Sequence, residues 1–411
     1  MKMRDQLFGI TWRLALFSLP WQTRWFNDAS LAGWPWEQGR WSVYASMLLI
    51  ASAIILGFRS VQKKDRSWTW LVPCVLIALT LITTLSKTAT TQWWIQVVLL
   101  AAFAWTILRN GIPRDKLLFW FAISLAPHIL IGFFQYAYQR SPAMSWLGMA
   151  SHDPRDLGVS VVEFGVFRYL RIYGGFPHPN IFGGWLAMGI GAVCWLASRA
   201  RSNVVALAYI GYASLLGIAL VLTFSRGAWI ATIAGLVVLL VTQVRERTRE
   251  PLRFQYGILA VVCTLISVAA IIAMQYPVVA SRFNVQDRLE EKSLEVRSAS
   301  LQEGLNVFFR HPWFGTGPNA ELVALASAEK TPEPLEPPHN AFLLLLDDLG
   351  IVGTFLVAFG VWSLRRLVTL ESLPFFAIML VIASVDHYPW SAWSGMCLVL
   401  IVSLFFRPSE E

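Results

Sequence analysis

The feature that most constrains this chain is a succession of apolar runs, most near 20 residues long, separated by charged or irregular segments. About 20 apolar residues in a helix cross the hydrocarbon core of a bilayer. Inside lipid the backbone must satisfy its own hydrogen bonds, so each such run is read as a helix. The runs lie at 6–20, 41–58, 68–86, 92–108, 117–138, 180–198, 204–222, 228–244, 254–274, 340–362, 370–385 and 394–406. Only 14% of the residues are charged, against roughly 25% in soluble domains, and 56% are hydrophobic. One water-soluble core cannot hide that much apolar surface. The expected fold class is an all-α integral membrane protein of about twelve transmembrane helices. Trp68, Trp70, Trp93 and Trp94 sit near the ends of runs, where an amphipathic ring prefers the membrane interface.

The net charge of +8 does not point to nucleic acid, because the basic residues do not gather on one face. They fall in short connections: Arg59, Lys63, Lys64 and Arg66; Arg109, Arg114 and Lys116; Arg199 and Arg201; Arg245, Arg247, Arg249 and Arg253; Arg365 and Arg366. In a twelve-helix count all of these share one side, which the positive-inside rule puts in the cytoplasm together with both termini. The first run lacks a small-residue cleavage site and is read as an uncleaved helix. Cys74, Cys194, Cys263 and Cys397 each lie in a different apolar run, as expected of free buried thiols.

Two connections are long and fall on the outer side, at 139–179 and 275–339. Long loops are commonly functional. In the larger one Leu294, Arg297, Leu301, Leu305 and Phe308 share one helical face by their spacing, so a partly helical segment with that face inward is expected. It ends in a turn cluster of His311-Pro312 and Gly315-Thr316-Gly317-Pro318. The whole of 1–411 is read as one polytopic domain.

The residues that can carry chemistry lie at the outer ends of these helices. His339 stands in Pro337-Pro338-His339-Asn340, with Asn340 suited to cap the next helix and the prolines stiffening the approach. A histidine held there is either a general base or an interfacial side chain that only hydrogen-bonds. Arg171 opens Arg171-Ile172-Tyr173-Gly174-Gly175-Phe176-Pro177-His178-Pro179-Asn180, an irregular segment leading into a helix. Its guanidinium either binds an anion or anchors to headgroups. Arg226 is the one charge in Thr223-Phe224-Ser225-Arg226-Gly227-Ala228-Trp229, between two apolar runs. A charge at that depth is a functional-site hypothesis by default; the alternative is snorkelling to the interface. Arg297, on the apolar stripe, needs an interior partner, for which Glu290 is the candidate, whereas Arg288 lies on another face at the rim. Asp386 can orient His387 in Asp386-His387-Tyr388-Pro389-Trp390, or the two form a structural pair. His178, between prolines, can equally support the loop. There is no P-loop and no HExxH, and Asp347-Asp348 inside a helix makes a poor metal cage alone. Several arginines and one well-placed histidine suit metal-independent chemistry on a diphosphate.

These residues together resemble the O-antigen ligase and polymerase superfamily. The resemblance rests on Arg171 with Gly174-Gly175-Phe176-Pro177-His178-Pro179-Asn180, on Phe224-Ser225-Arg226-Gly227 and on Arg297. It continues through Pro312 with Gly315-Thr316-Gly317, His339-Asn340-Ala341-Phe342, Gly350-Ile351-Val352-Gly353 and Asp386-His387-Tyr388. It covers roughly 165–395; residues 1–140 match only as a pattern of spans. It implies a membrane glycosyltransferase of the GT-C kind in a bacterial inner membrane, with its site facing the periplasm. The donor would be a glycan on undecaprenyl diphosphate and the acceptor a sugar hydroxyl of lipid A–core, among membrane lipids. His339 resembles the base, and Arg171, Arg226 and Arg297, with Arg288 at the rim, the diphosphate site. His178, Asn180, Asn340, Asp386 and His387 resemble supporting residues. The transfer would be inverting, with no metal, no nucleotide and no other cofactor.

Within the superfamily, the 275–339 loop suits a ligase, although polymerases also carry two long outer loops, and some relatives glycosylate proteins. From another class, a transporter would show repeats and mid-depth ionisable groups. Convergence of the two outer loops over one cavity holding His339 and the arginines separates surface chemistry from transport.

Overall fold

The computed structural model describes residues 2–58, 71–244, 251–284, 288–328 and 335–404. The expected basic positions Arg59, Lys63, Lys64, Arg66, Arg245, Arg247 and Arg249, and Trp68 and Trp70, lie outside these residues. The chain folds as α1 (Lys2–Ser18), α2 (Ala45–Gly57), α3 (Leu71–Thr83), α4 (Lys87–Arg109), α5 (Arg114–Ser124), α6 (Ala126–Tyr138), α7 (Pro179–Ala197), α8 (Asn203–Leu222), α9 (Arg226–Val244) and α10 (Pro251–Met274). There follow α11 (Tyr276–Ser281), α12 (Arg288–Arg310), α13 (Glu321–Ala328), α14 (Ala341–Leu364), α15 (Leu373–Val385), α16 (Tyr388–Ser391) and α17 (Trp393–Ser403). Among the described residues strands occur only in connections: β1 (Arg24–Phe26) pairs with β4 (Ser42–Tyr44), β2 (Ser30–Leu31) with β3 (Trp34–Pro35), and β5 (Val161–Phe164) with β6 (Phe167–Leu170), all antiparallel.

The chain is a multi-pass membrane protein. Among the described residues seven helical stretches are long and apolar enough to cross a membrane, with α5 and α6 together forming one of them. α2, α3, α15 and α17 are apolar but shorter. The run expected at 117–138 is broken at Leu125, next to Pro127 in the first turn of α6.

α7 is the centre of the bundle, with nearly every residue from Pro179 to Ala197 buried against α5, α8, α9 and α15. Small residues permit this: a Cβ on Gly184 would stand 1.9 Å from Tyr388 Oη. Among the described basic residues Arg114 and Arg199 share one face, where Glu371 binds them at 2.7 and 2.5 Å. Arg4 donates to the Leu56 and Phe58 carbonyls, which brings the start of α1 to that same end. The connections 19–44 and 139–179 and the described parts of 275–339 lie at the opposite, loop face.

α14 explains why two glycine-bearing motifs far apart in sequence belong together. Gly350 has φ 62° and ψ −173°, a conformation an L side chain avoids, and it breaks the helix. The Pro312–Gly317 turn fills the break. Thr316 N and Gly317 N donate to the Asp347 and Asp348 carbonyls at 2.9 Å, and Ile351 N donates to the Pro312 carbonyl at 2.8 Å. The turn thus supplies the hydrogen bonds the interrupted helix cannot make.

α12 corrects an expectation. The stripe of Leu294, Leu301 and Leu305 does not face inward; these leucines are 41–42% exposed. The buried face carries Glu290, Ser300, Gly304 and Val307. α12 packs closely on α14, so that a Cβ on Gly304 would sit 2.9 Å from Leu343. Small side chains therefore fit the contact. Cys194 and Cys397 are buried, Cys263 is half-buried and Cys74 is exposed, all as free thiols.

Candidate functional site

Helix ends bring distant residues together at the loop face. His178 caps α7, its Nδ1 accepting from Asn180 N at 3.1 Å, while its Nε2 meets Ser160 Oγ at 2.9 Å. Asn340 caps α14, accepting from Phe342 N and Leu343 N at 2.9 and 3.0 Å, and so fixes His339 one residue before the cap. Asp386 ends α15 and points back across the gap. His339 Nδ1 lies 3.8 Å from Asp386 Oδ1, and His339 Nε2 lies 3.6 Å from Glu336 Oε2. These are ion-pair distances, longer than a hydrogen bond.

The surroundings set the charge of each histidine. Burial pushes the His339 imidazole down, but the Asp386 and Glu336 carboxylates outweigh it and hold the group at about 9. Burial also pushes the Asp386 carboxyl up, while the facing His339 keeps it below the usual carboxylate range. Burial, followed by the Arg171 charge, lowers His178 to about 3. Burial lowers His387 as well. At neutral pH His339 is the cationic imidazole of the three.

Two cavities meet here and share Asn180, Asp386 and Tyr388 in their walls. The smaller, about 240 Å³, is lined by Arg226, Arg282 and Arg297. Glu290, 4% exposed, pairs with Arg226 Nη2 at 2.9 Å and also binds Arg282. Arg226 further donates to the Arg282 carbonyl at 2.8 Å. Among the described residues Arg297 has no carboxylate within ion-pair distance. The larger cavity, about 530 Å³, holds His178, His339 and His387.

Several expected site residues converge, and others are placed differently. His339, Asn180, Asp386, His387 and His178 line the larger cavity, and Arg226 and Arg297 the smaller. Arg171 lines neither. It is 6% exposed and braces the wall, with Nε donating to the Thr223 carbonyl at 2.7 Å and Nη2 to Asn180 Oδ1 at 2.6 Å. Burial, then the Arg282 charge, lowers it to about 9. Asn180 in turn donates to Asp386 at 3.2 Å, so Arg171 acts on the site through an amide. Arg288 is 74% exposed and pairs with Glu163 of β5 at 2.9 Å, outside both cavities. Glu290 is not the partner of Arg297. Asp386 makes no hydrogen bond to the His387 ring: it accepts from His387 N at 2.9 Å, while His387 Nδ1 meets Ser391 Oγ at 2.7 Å.

Three features were not anticipated. Arg282 is one; its signal in the sequence is that it is the only charge between Arg253 and Asp287. The facing of His339 by Asp386 and Glu336 is the second. The third is the 19–44 connection, whose Arg24, Glu37 and Arg40 form part of the larger cavity.

The ligand atoms of His339, Asp386 and His387 lie within 4.8 Å of one another, a spacing a divalent cation can use. The contacts do not suit one. Each nitrogen of His339 already faces a carboxylate, so the imidazolium itself balances the charge, and His387 Nδ1 is engaged by Ser391.

A bundle of membrane-crossing helices with a polar, arginine-lined cleft at one face defines a multi-pass membrane protein whose site opens at that face. Residues 211–358 match the family model described as O-antigen ligase, so that segment of the chain is similar to the O-antigen ligase superfamily. The matched segment runs from α8 into α14 and contains Arg226, Arg282, Arg297 and His339; Arg171 and Asp386 lie outside it. No match was found among curated proteins or among solved structures.

Proposed function

We propose that the chain is a membrane glycosyltransferase of the O-antigen ligase kind. It moves a glycan from undecaprenyl diphosphate to a sugar hydroxyl of lipid A–core. The observation that carries this reading is the pairing of His339 with Asp386 beside a pocket of three arginines. His339, in its neutral form, takes the proton of the acceptor hydroxyl. The hydroxyl oxygen bonds to the anomeric carbon as the bond from that carbon to the diphosphate breaks, so configuration inverts. The imidazolium is stabilised by Asp386. Arg226, Arg282 and Arg297 meet the charge that develops on the leaving diphosphate. Arg171, through Asn180, positions Asp386, and His178, Asn340 and His387 hold the helix ends around the site. No metal is required.

The arrangement is read as twelve spans of the GT-C kind in a bacterial inner membrane, with α1, α2, α3, α15 and α17 completing the seven longer crossings. The loop face is periplasmic and the termini are cytoplasmic. An apolar groove of about 460 Å³ between α4, α14 and α17, reaching Trp390 at the loop face, suits an isoprenoid or acyl chain. Both cavities that hold charged site residues are lined from the loop-face ends of helices, which favours surface chemistry over transport.

The test is transfer by the full chain in reconstituted membranes with EDTA present, comparing wild type with His339→Ala. Glycan on lipid A–core, lost in the variant, supports the reading. Donor chains that lengthen without labelling lipid A–core move the assignment to a polymerase. A folded, fully active His339→Ala protein overturns the base.

A further inference from the structure

The larger cavity has a second wall that the chemistry above does not use. It is built by the 19–44 connection. β1 and β4 hold Arg24 and Tyr44 side by side, and Glu37 bridges two guanidinium groups, binding Arg24 and, at 3.1 Å, Arg40. Both arginines also stack on Phe26, each 4.9 Å from its ring centre. Thr23 Oγ1 donates to the Trp146 carbonyl at 2.8 Å, which ties this connection to the 139–179 loop. The wall is therefore preorganised, and it lines the same cavity as the histidines.

The same cavity carries side-chain amides without a hydrogen-bond partner among the described residues. Gln96 of α4 is 7% exposed, lines the cavity and makes no side-chain hydrogen bond among the described residues. Asn319, 5% exposed, also lines it and leaves Oδ1 unpartnered. Burying an amide without a partner costs free energy that a ligand's hydrogen bonds recover. Charge separates the two cavities. In the larger one Arg24, Arg40 and His339 are matched by Glu37, Glu336 and Asp386. In the smaller one three arginines face Glu290, and Asp386, already paired with His339, stands in the shared wall. The smaller cavity suits an anion. The larger one suits a neutral ligand rich in hydroxyls, which both donate and accept. Its volume, about 530 Å³, falls in the ordinary range for small-molecule sites.

We propose that this cavity is the acceptor-sugar subsite, in which Glu37, Arg40 and Gln96 bind the hydroxyls of the acceptor saccharide and select it. This rests on the transferase reading, because His339 deprotonates a hydroxyl only from the side on which the acceptor sits. The 19–44 connection, outside the segment that defines the family, thereby sets acceptor choice.

The experiment uses the full chain in lipid nanodiscs. It measures binding of the saccharide part of lipid A–core without donor, and transfer kinetics with donor. Glu37→Gln and Gln96→Ala perturb different elements, the 19–44 connection and α4, and Gln96 takes no part in the ion pair, so a folding defect at the ion pair does not decide the outcome. Each is expected to raise the saccharide Kd and the acceptor KM by about tenfold or more, because a site built to bond hydroxyls loses discrimination when a partner is removed. The donor KM is expected to move less than about twofold. If wild type transfers normally and neither variant shifts acceptor KM, the subsite is wrong and the transferase reading stands. If wild type binds the saccharide, the variants do not, and no transfer occurs, the subsite stands and the transferase reading falls. No saccharide binding by wild type overturns the subsite.

Discussion

The charge state of His339 makes a sharp kinetic prediction. Burial alone would leave this imidazole below its ordinary value near 6.5, and the two facing carboxylates hold it at about 9. With a pKa of about 9, roughly 1% of the protein carries neutral His339 at pH 7. If neutral His339 is the base, kcat/KM rises about tenfold per pH unit from pH 6 to 8 and levels off near 9. Asp386→Asn removes the more buried of the two carboxylates and leaves Glu336, whose side chain is 58% exposed. The rising limb then moves down by at least about one pH unit, and the plateau falls on the order of 10²-fold because the imidazolium loses its counterion. The assay is initial-rate transfer in nanodiscs from pH 6 to 10 with saturating donor. A wild-type profile that is flat over this range, or a limb that does not move in Asp386→Asn, refutes the reasoning. Stability follows the same linkage with a defined sign. A histidine whose folded pKa is raised stabilises the fold fully below about 6.5, and the contribution, at most about 3 kcal/mol, is lost as pH rises through about 9.

Arg282→Gln should lower transfer on the order of 10²-fold at saturating acceptor and leave Glu290 with a single partner; transfer within about twofold of wild type would remove Arg282 from the diphosphate site. Glu290→Ala strands two cations against a buried wall, and should lower stability by about 3–5 kcal/mol in a thermal scan. Gly350→Ala forces a side chain into a positive φ, with its Cβ about 2.5 Å from the Trp313 backbone. A loss of at least about 1–3 kcal/mol, read as a drop in unfolding midpoint, is expected. Arg288→Ala removes only an exposed pair with Glu163, so stability should change by less than about 1 kcal/mol and transfer by less than about twofold.

Local pattern was enough for much of this protein. Hydropathy marked the apolar helices, and charge marked the face on which Arg114, Arg199 and Glu371 meet, because lipid and water act on each segment separately. The prolines and Asn340 marked the entry to α14, since a helix cap is a contact within a few residues. The partners across the site were set by packing. Asp386 sits beside His387 in the chain, yet its carboxylate faces His339, because α15 ends opposite the start of α14. Spacing alone put leucines on the inner face of α12, but close approach to α14 gave that face to Ser300, Gly304 and Val307. Arg171 and Arg226 looked alike as lone arginines near helix ends. One is buried behind the wall and the other lines the cavity, a difference decided by how α7, α9 and α12 meet. Local pattern marked which segments are helices and where along the chain the charged and irregular residues gather. The tertiary structure decided which charges neutralise one another and which remain for a substrate, because those pairings join residues that only packing brings within reach.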